Sequence, residues 1–165
     1  MATAPELLAS APELTRAMRE GDVPDVVAIE RASYQFPWSE GIFRDCLRVG
    51  YTCRVAVWGK QIAGYGVMSV GAGEAHILNL CVAEDFRCHG LGGRLLTLLV
   101  ERAAALGMKE AFLEVRPSNT AAIRLYLAHG FTQVGMRRGY YQAVGGREDA
   151  AVLRLGLRSG SRLDP

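Results

Sequence analysis

The chain has 165 residues, half of them apolar, with 19 Lys and Arg against 17 Asp and Glu for a formal net charge of +2. A chain of this size buries roughly 70% of its unfolded surface and holds a core without disulfide or metal staples. Near-balanced charge with no basic stripe argues against a nucleic-acid partner. No segment approaches the roughly 18 consecutive apolar residues of a membrane span, and no basic start with a long apolar run opens the chain, so the expectation is a cytoplasmic protein with no membrane partner. Cys46, Cys53, Cys81 and Cys88 form no C-x-x-C clamp, and His89 beside Cys88 has nothing tying it to His76 or His129. They read as reduced thiols, with no metal site. Lys60 and Lys109 are the only lysines; the arginine bias reads as coding composition.

Residues 1–13 are Ala- and Pro-rich and residues 158–165 polar, which predicts flexible ends around one domain at 14–157. A short strand is expected at Leu14–Met18. Val26, Val27, Ile29 and Ala32 then recur at helical spacing after Asp22, and Ser39 can cap a second helix carrying Ile42, Phe43 and Leu47. Phe36-Pro37-Trp38 forms an aromatic loop between them. Tyr51–Trp58 and Gln61–Val70 read as strands joined at Gly59-Lys60, followed by a strand over Glu74–Val82. Beyond Glu84-Asp85-Phe86 the segment Arg87-Cys88-His89-Gly90-Leu91-Gly92-Gly93-Arg94 precedes a helix with Leu95, Leu98, Leu99 and Ala103. A strand at Ala111–Arg116, a helix capped by Ser118 or Asn119 and stopped at Gly130, and a hairpin from Phe131 to Leu157 turning at Gly145-Gly146 complete the chain. Early hairpins, a βαβα unit and a terminal hairpin indicate an α+β fold. Its mixed sheet has an antiparallel N-terminal half, parallel middle strands and about four flanking helices.

The glycine-rich segment lies between a strand and a helix. Amides from Cys88 to Gly93 can point inward as the first turn of that helix, and Gly90, Gly92 and Gly93 let a pyrophosphate approach the backbone at the positive end of the helix dipole. An ordinary turn is the competing reading. A P-loop is excluded because Gly93 is followed by Arg94-Leu95 rather than Lys and Ser or Thr. A Rossmann turn fits poorly because about seven residues separate Val82 from Gly90.

Asn79-Leu80-Cys81-Val82, Arg87-x-x-Gly90-x-Gly92, Leu113-Glu114-Val115-Arg116-x-Ser118-Asn119 and Ala122-Ile123-x-Leu125-Tyr126-x-x-x-Gly130-Phe131 together resemble the GNAT acyltransferases, which use acetyl-CoA. With Phe36-Pro37-Trp38-Ser39, Tyr140-Tyr141 and Gly146-Arg147-Glu148-Asp149-Ala150, the chain is similar to their RimI branch, the ribosomal-protein alanine N-acetyltransferases. The resemblance covers about Leu14 to Leu157. It implies the GNAT fold and direct transfer from acetyl-CoA, through a ternary complex, to the N-terminal alanine of small-subunit ribosomal protein eighteen. It further implies that Glu114 is the base and Tyr126 the proton donor. The backbone of Leu80, Cys81 and Val82 would pair with pantetheine. Arg87, Cys88, His89, Gly90, Leu91, Gly92 and Gly93 would hold the pyrophosphate, and Asn119 would contact the cofactor. Cys88 stands where this family often has Arg, and Ala83-Glu84 replaces its frequent Asp-Pro, which puts one phosphate contact and the turn geometry in question.

The residues carry their own reasoning beside that resemblance. A carboxylate near the C-terminal end of a parallel strand, as at Glu114, sits where open sheets present ligands and can take a proton through water. The competing role is a solvated charge. A phenol with pKa of about 10 is matched to protonate a thiolate, although Tyr126 also suits core packing beside Ile123 and Leu125. At pH 7 an α-amine is roughly one-seventh neutral and a lysine amine about one part in 2,500, so a single carboxylate suits an N-terminal acceptor better. Phe36, Trp38, Tyr140 and Tyr141 are candidate walls of the acceptor cleft, with core packing as the alternative for each. Glu40, Glu148 and Asp149 are candidates to attract a basic peptide. Two alternatives remain at this level: a GNAT enzyme for lysine, a polyamine or an antibiotic, and a non-catalytic acyl-CoA-binding module.

Overall fold

The computed structural model describes residues 15–158; the expected flexible ends, apart from Arg158, lie outside them. Strand β1 (Thr15–Ala17) leads into helix α1 (Val23–Ser33). Arg16 steers that entry by donating to both carboxylate oxygens of Asp22 at 2.6 and 2.8 Å, while the amide of Arg19 donates to the same side chain at 2.8 Å. Pro24 falls in the first turn of α1, where its missing N–H costs nothing. Helix α2 (Glu40–Arg48) begins where expected, with Ser39 Oγ accepting from the amide of Ile42.

Strands β2 (Thr52–Trp58), β3 (Gln61–Gly71) and β4 (Glu74–Val82) follow, then helix α3 (Leu91–Ala105), strand β5 (Glu110–Val115), helix α4 (Thr120–Ala128), and strands β6 (Thr132–Ala143) and β7 (Gly146–Gly156). The seven strands hydrogen-bond in the order β1-β2-β3-β4-β5-β7-β6. Pairs β1/β2, β2/β3, β5/β7 and β6/β7 are antiparallel and β4/β5 is parallel, as α3 carries the chain across from β4 to β5. The mixed sheet and its four α-helices are the α+β architecture expected. Several strand bounds shift by about one residue, and α3 starts at Leu91, so Gly92 and Gly93 are helical and the true loop is shorter than the glycine pattern suggests.

The described residues group into two compact units, one through Met68 together with Asn79–Leu96 and the other Ser69–Leu78 with the residues from Thr97 on. In the first, Val23, Val26 and Val27 of α1 pack with Phe43 of α2 and with Val55, Tyr65 and Val67 of β2 and β3. Phe43 meets Tyr65 edge-on at 5.5 Å. Gly64 lies so near β4 that a Cβ there would come within 2.8 Å of the Cys81 carbonyl. In the second unit, Ala111, Leu113 and Val115 of β5 alternate inward as a half-buried strand requires. Tyr126 and Phe131 meet edge-on across the end of α4.

Candidate active site

The β4/β5 ladder runs from Glu74 opposite Glu110 to Ile77 opposite Leu113. Strand β4 continues to Val82. Its last residues therefore extend past the register they share with β5, and their carbonyls find side-chain donors in the first unit. Tyr34 Oη donates to the Leu80 carbonyl at 3.3 Å and Arg87 Nε to that of Val82 at 3.0 Å. Such groups at a sheet edge otherwise depend on water. Asn79, just before them, donates at 2.6 Å to Glu30, which is almost wholly buried in α1. Burial raises the Glu30 carboxyl above its ordinary value, although the hydrogen bond from Asn79 opposes the rise.

After β4 a short 3-10 turn, Glu84–Phe86, delivers the chain to the start of α3. Cys88 and Gly90 have φ of +64° and +80°, and the first helical bond runs from the Arg94 amide to the Gly90 carbonyl at 3.1 Å. The amides of Leu91, Gly92 and Gly93 thus lack acceptors within the helix, as at any helix start. The glycines keep side chains off two of the three, and 15 residues of aligned dipole lie behind them. These positions fit an anionic pyrophosphate. Arg87 turns away from the loop toward Val82 and Ser33, and the His89 ring lies edge-on to Trp58 at 5.2 Å. Of the first unit's candidate aromatics, Phe36 is exposed, whereas Trp38 is partly buried against Phe43 at 5.3 Å and packs on the core.

The second unit brings together Glu114, Tyr126, Tyr140 and Tyr141. Glu114 lies on β5 opposite Val152 of β7. Its carboxylate meets Arg137 Nε of β6 at 3.4 Å. Tyr141 is held largely protonated: burial raises its phenol first, then the neighbouring Tyr140 and Glu114, with Arg116 opposing and Tyr126 adding slightly. Tyr140 and Tyr141 meet edge-on at 4.9 Å. The Arg116 guanidinium lies 4.4 Å over the Tyr141 ring, and that of Arg137 5.4 Å from the Tyr140 centroid. Tyr126 is buried in α4.

Asn119 caps α4, its Oδ1 accepting from the Ala122 amide at 3.2 Å. Glu148 of β7 closes the same loop from the other side, accepting from Arg116 at 3.1 Å and from the amide and hydroxyl of Ser118 at 3.2 and 3.1 Å. These donors hold its carboxyl below the ordinary range. Asp149 accepts from the Gly139 amide at 2.7 Å, and Glu40 pairs with Arg44 of its own helix. All three carboxylates expected to draw a basic peptide are engaged within the protein. No cluster of three or more metal-ligating side chains occurs among the described residues.

Sequence reasoning assigned no role to Arg116 or Arg137. The usable signal is the Arg137-Arg138 pair ahead of Tyr140-Tyr141. What hides it is an irregularity in β6: four residue steps from Arg137 to Tyr141 face two from Ala150 to Glu148, so two extra residues re-aim this stretch.

The profile of the acetyltransferase (GNAT) family matches residues 23–131. A [ribosomal protein bS18]-alanine N-acetyltransferase of Escherichia coli K12 is 36% identical over 134 residues, covering 81% of this chain and 90% of that protein. Its counterpart from Haemophilus ducreyi is 33% identical over 139 residues, covering 84% and 96%. The crystal structure of the ribosomal-protein-S18-alanine N-acetyltransferase from Escherichia coli aligns with a TM-score of 0.82 at 32% identity, over 90% of this chain and 96% of that one.

Proposed function

The chain belongs to the acetyltransferase (GNAT) family, and from that premise we propose that it acetylates the N-terminal alanine of small-subunit ribosomal protein eighteen. Identity of 36% to an enzyme named for that reaction, spanning 90% of that enzyme, supports the acceptor. Acetyl-CoA, as cosubstrate, supplies an acetyl group activated as a thioester.

The residues then divide the work. The amides of Leu91, Gly92 and Gly93 hold the pyrophosphate against the start of α3. Gly90 and Cys88 shape the turn, and His89 and Arg87 anchor it to Trp58 and Val82 rather than carry the phosphate themselves. The backbone of Leu80, Cys81 and Val82 offers a strand edge to pantetheine, with Tyr34 and Arg87 on two of its carbonyls. Asn119 keeps its cap and contacts the cofactor from the same position. Glu114 accepts a proton from the acceptor ammonium through water, which frees the nitrogen lone pair for direct attack in a ternary complex. Tyr126 keeps its proton at Oη until the departing sulfur takes it. Tyr140 and Tyr141 wall the acceptor; of the other two candidates, Trp38 packs on the core of the first unit and Phe36 is exposed.

The arrangement that carries this reading is a carboxylate at the end of β5, with a buried phenol on the next helix and two tyrosines beside it. A non-catalytic acyl-CoA-binding module has no use for that pair. The test is incubation with acetyl-CoA and a panel of N-terminal peptides, read by mass spectrometry. Acetyl on the terminal nitrogen of the alanine peptide is the expected product. Acetylation of lysine side chains alone would replace the acceptor assignment, and acetyl-CoA binding with no CoA release from any amine would replace the enzyme by a binding module.

A further inference from the structure

Arg137 is a cation in direct contact with the proposed base. Its Nε lies 3.4 Å from Glu114 Oε1, with the arginine side chain 55% exposed and the carboxylate only 17%. The two residues stand on strands separated by β7. The register explains how they meet: Arg137 faces Ala150 across the β6/β7 ladder, and Glu114 faces Val152 across β5/β7. Residues two apart on a strand share a face, so the arginine crosses β7 over the small side chain of Ala150. Its guanidinium also lies 5.4 Å from the Tyr140 ring centroid.

We propose that Arg137 is a positioning residue, the resident counter-cation of Glu114, which the acceptor ammonium displaces when it binds, with Tyr140 holding the released guanidinium. This rests on the acetyl-transfer reading. The cluster's two arginines, Arg116 and Arg137, balance its two carboxylates, Glu148 and Glu114, so an arriving ammonium meets no uncompensated charge. Arg116 is fixed by Glu148, which is itself tied to Ser118. Arg137 has the single longer contact and the greater exposure, and it is the cation that leaves. The exchange conserves charge: one cation departs and one arrives. In the chemical step an ammonium N–H bond breaks and an O–H bond forms on Glu114 by way of water. The nitrogen lone pair so released forms the bond to the acetyl carbon, the C–S bond breaks as Tyr126 protonates the departing sulfur, and the second proton shed by the nitrogen restores Tyr126. Arg137 returns once the first proton has passed from Glu114 to solvent.

The test uses the full chain. In wild-type protein labelled with nitrogen-15, the Arg137 Nε–H signal should move as an alanine-terminated peptide is titrated. In Glu114→Gln it should already sit near the displaced position and stay there. Removing the competing cation in Arg137→Gln should lower the acceptor KM about two- to fivefold, what an exposed ion pair is worth, without changing the KM for acetyl-CoA. Arg137→Lys should return the acceptor KM to within about twofold of wild type. A purely structural arginine would move none of these selectively. An unmoved Arg137 signal with CoA still released, or an acceptor KM that is unchanged or higher in Arg137→Gln, overturns this proposal alone. A wild-type protein that releases no CoA with the peptide overturns the functional reading and this with it. Should Arg137→Gln fail to fold, the wild-type and Glu114→Gln titrations decide.

Discussion

Tyr126 is 7% exposed and packs edge-on against Phe131, so Phe in its place keeps the ring contacts and removes only the hydroxyl. Tyr126→Phe should therefore lower kcat about 10- to 100-fold while acetyl-CoA binds as before, as stopped-flow turnover with calorimetric binding would show. Glu114→Gln should lower kcat/KM for the alanine peptide about 100-fold or more near neutral pH. That loss should shrink as pH rises past the α-amine's own pKa of about 7.8, because the acceptor then arrives already neutral. Wild-type rates in either variant would remove the corresponding assignment. Glu30 poses a different problem, being the buried charged residue among those described. Its folded-state pKa is raised, so its contribution to stability is full below the ordinary carboxylate range and is lost as pH rises through the folded value. Glu30→Gln should accordingly gain on wild type in urea midpoint as pH rises above the ordinary carboxylate range; a difference that stays constant with pH would mean that burial does not govern this carboxyl.

The elements follow local chemistry closely. Ser39 and Asn119 both cap the helices they precede, and the hairpin turns fall at the glycines that announce them. The glycine-rich segment was legible as a strand-to-helix connection, yet its division was not, since Gly92 and Gly93 are poor helix formers held helical by tertiary packing of Leu91 and Leu95. Gly64 escaped notice for a related reason. Its role comes from the neighbouring strand, where the Cys81 carbonyl leaves no space for a methyl group. Gly64→Ala should cost about 1–3 kcal/mol in chemical denaturation. Because Cys81 belongs to the β4 segment assigned to pantetheine, it should also weaken acetyl-CoA binding, measured by calorimetry. Full retention of both would show that β3 and β4 can separate freely at this point.

Across the whole chain, the net charge of +2 gives a basic acceptor no long-range attraction. Glu40, Glu148 and Asp149 do not supply it locally, since each already has an internal partner. Raising sodium chloride from 50 to 300 mM should therefore change kcat/KM for the alanine peptide by no more than about threefold. A steep fall would reveal steering by acids left free in solution. The exposed ends of the sheet are managed by backbone means: β1 has three residues, and β6 departs from regular register twice, which discourages pairing with another chain.

The order of strands and helices, the place of the glycine-rich segment between a strand and α3, and the Glu114 and Tyr126 candidates were all readable from residue pattern. They depend on periodicity, capping and turn chemistry acting within a few positions, or on motifs contiguous in the chain. The partners of the charges were decided only by tertiary structure. Glu114 meets Arg137 because β7, the last strand, inserts between β5 and β6 and carries a small residue where the arginine must cross. Two extra residues in β6 then set which side chains share that face. Register between distant strands follows from the summed packing of both faces and from turn geometry, so no local segment of this chain contains it.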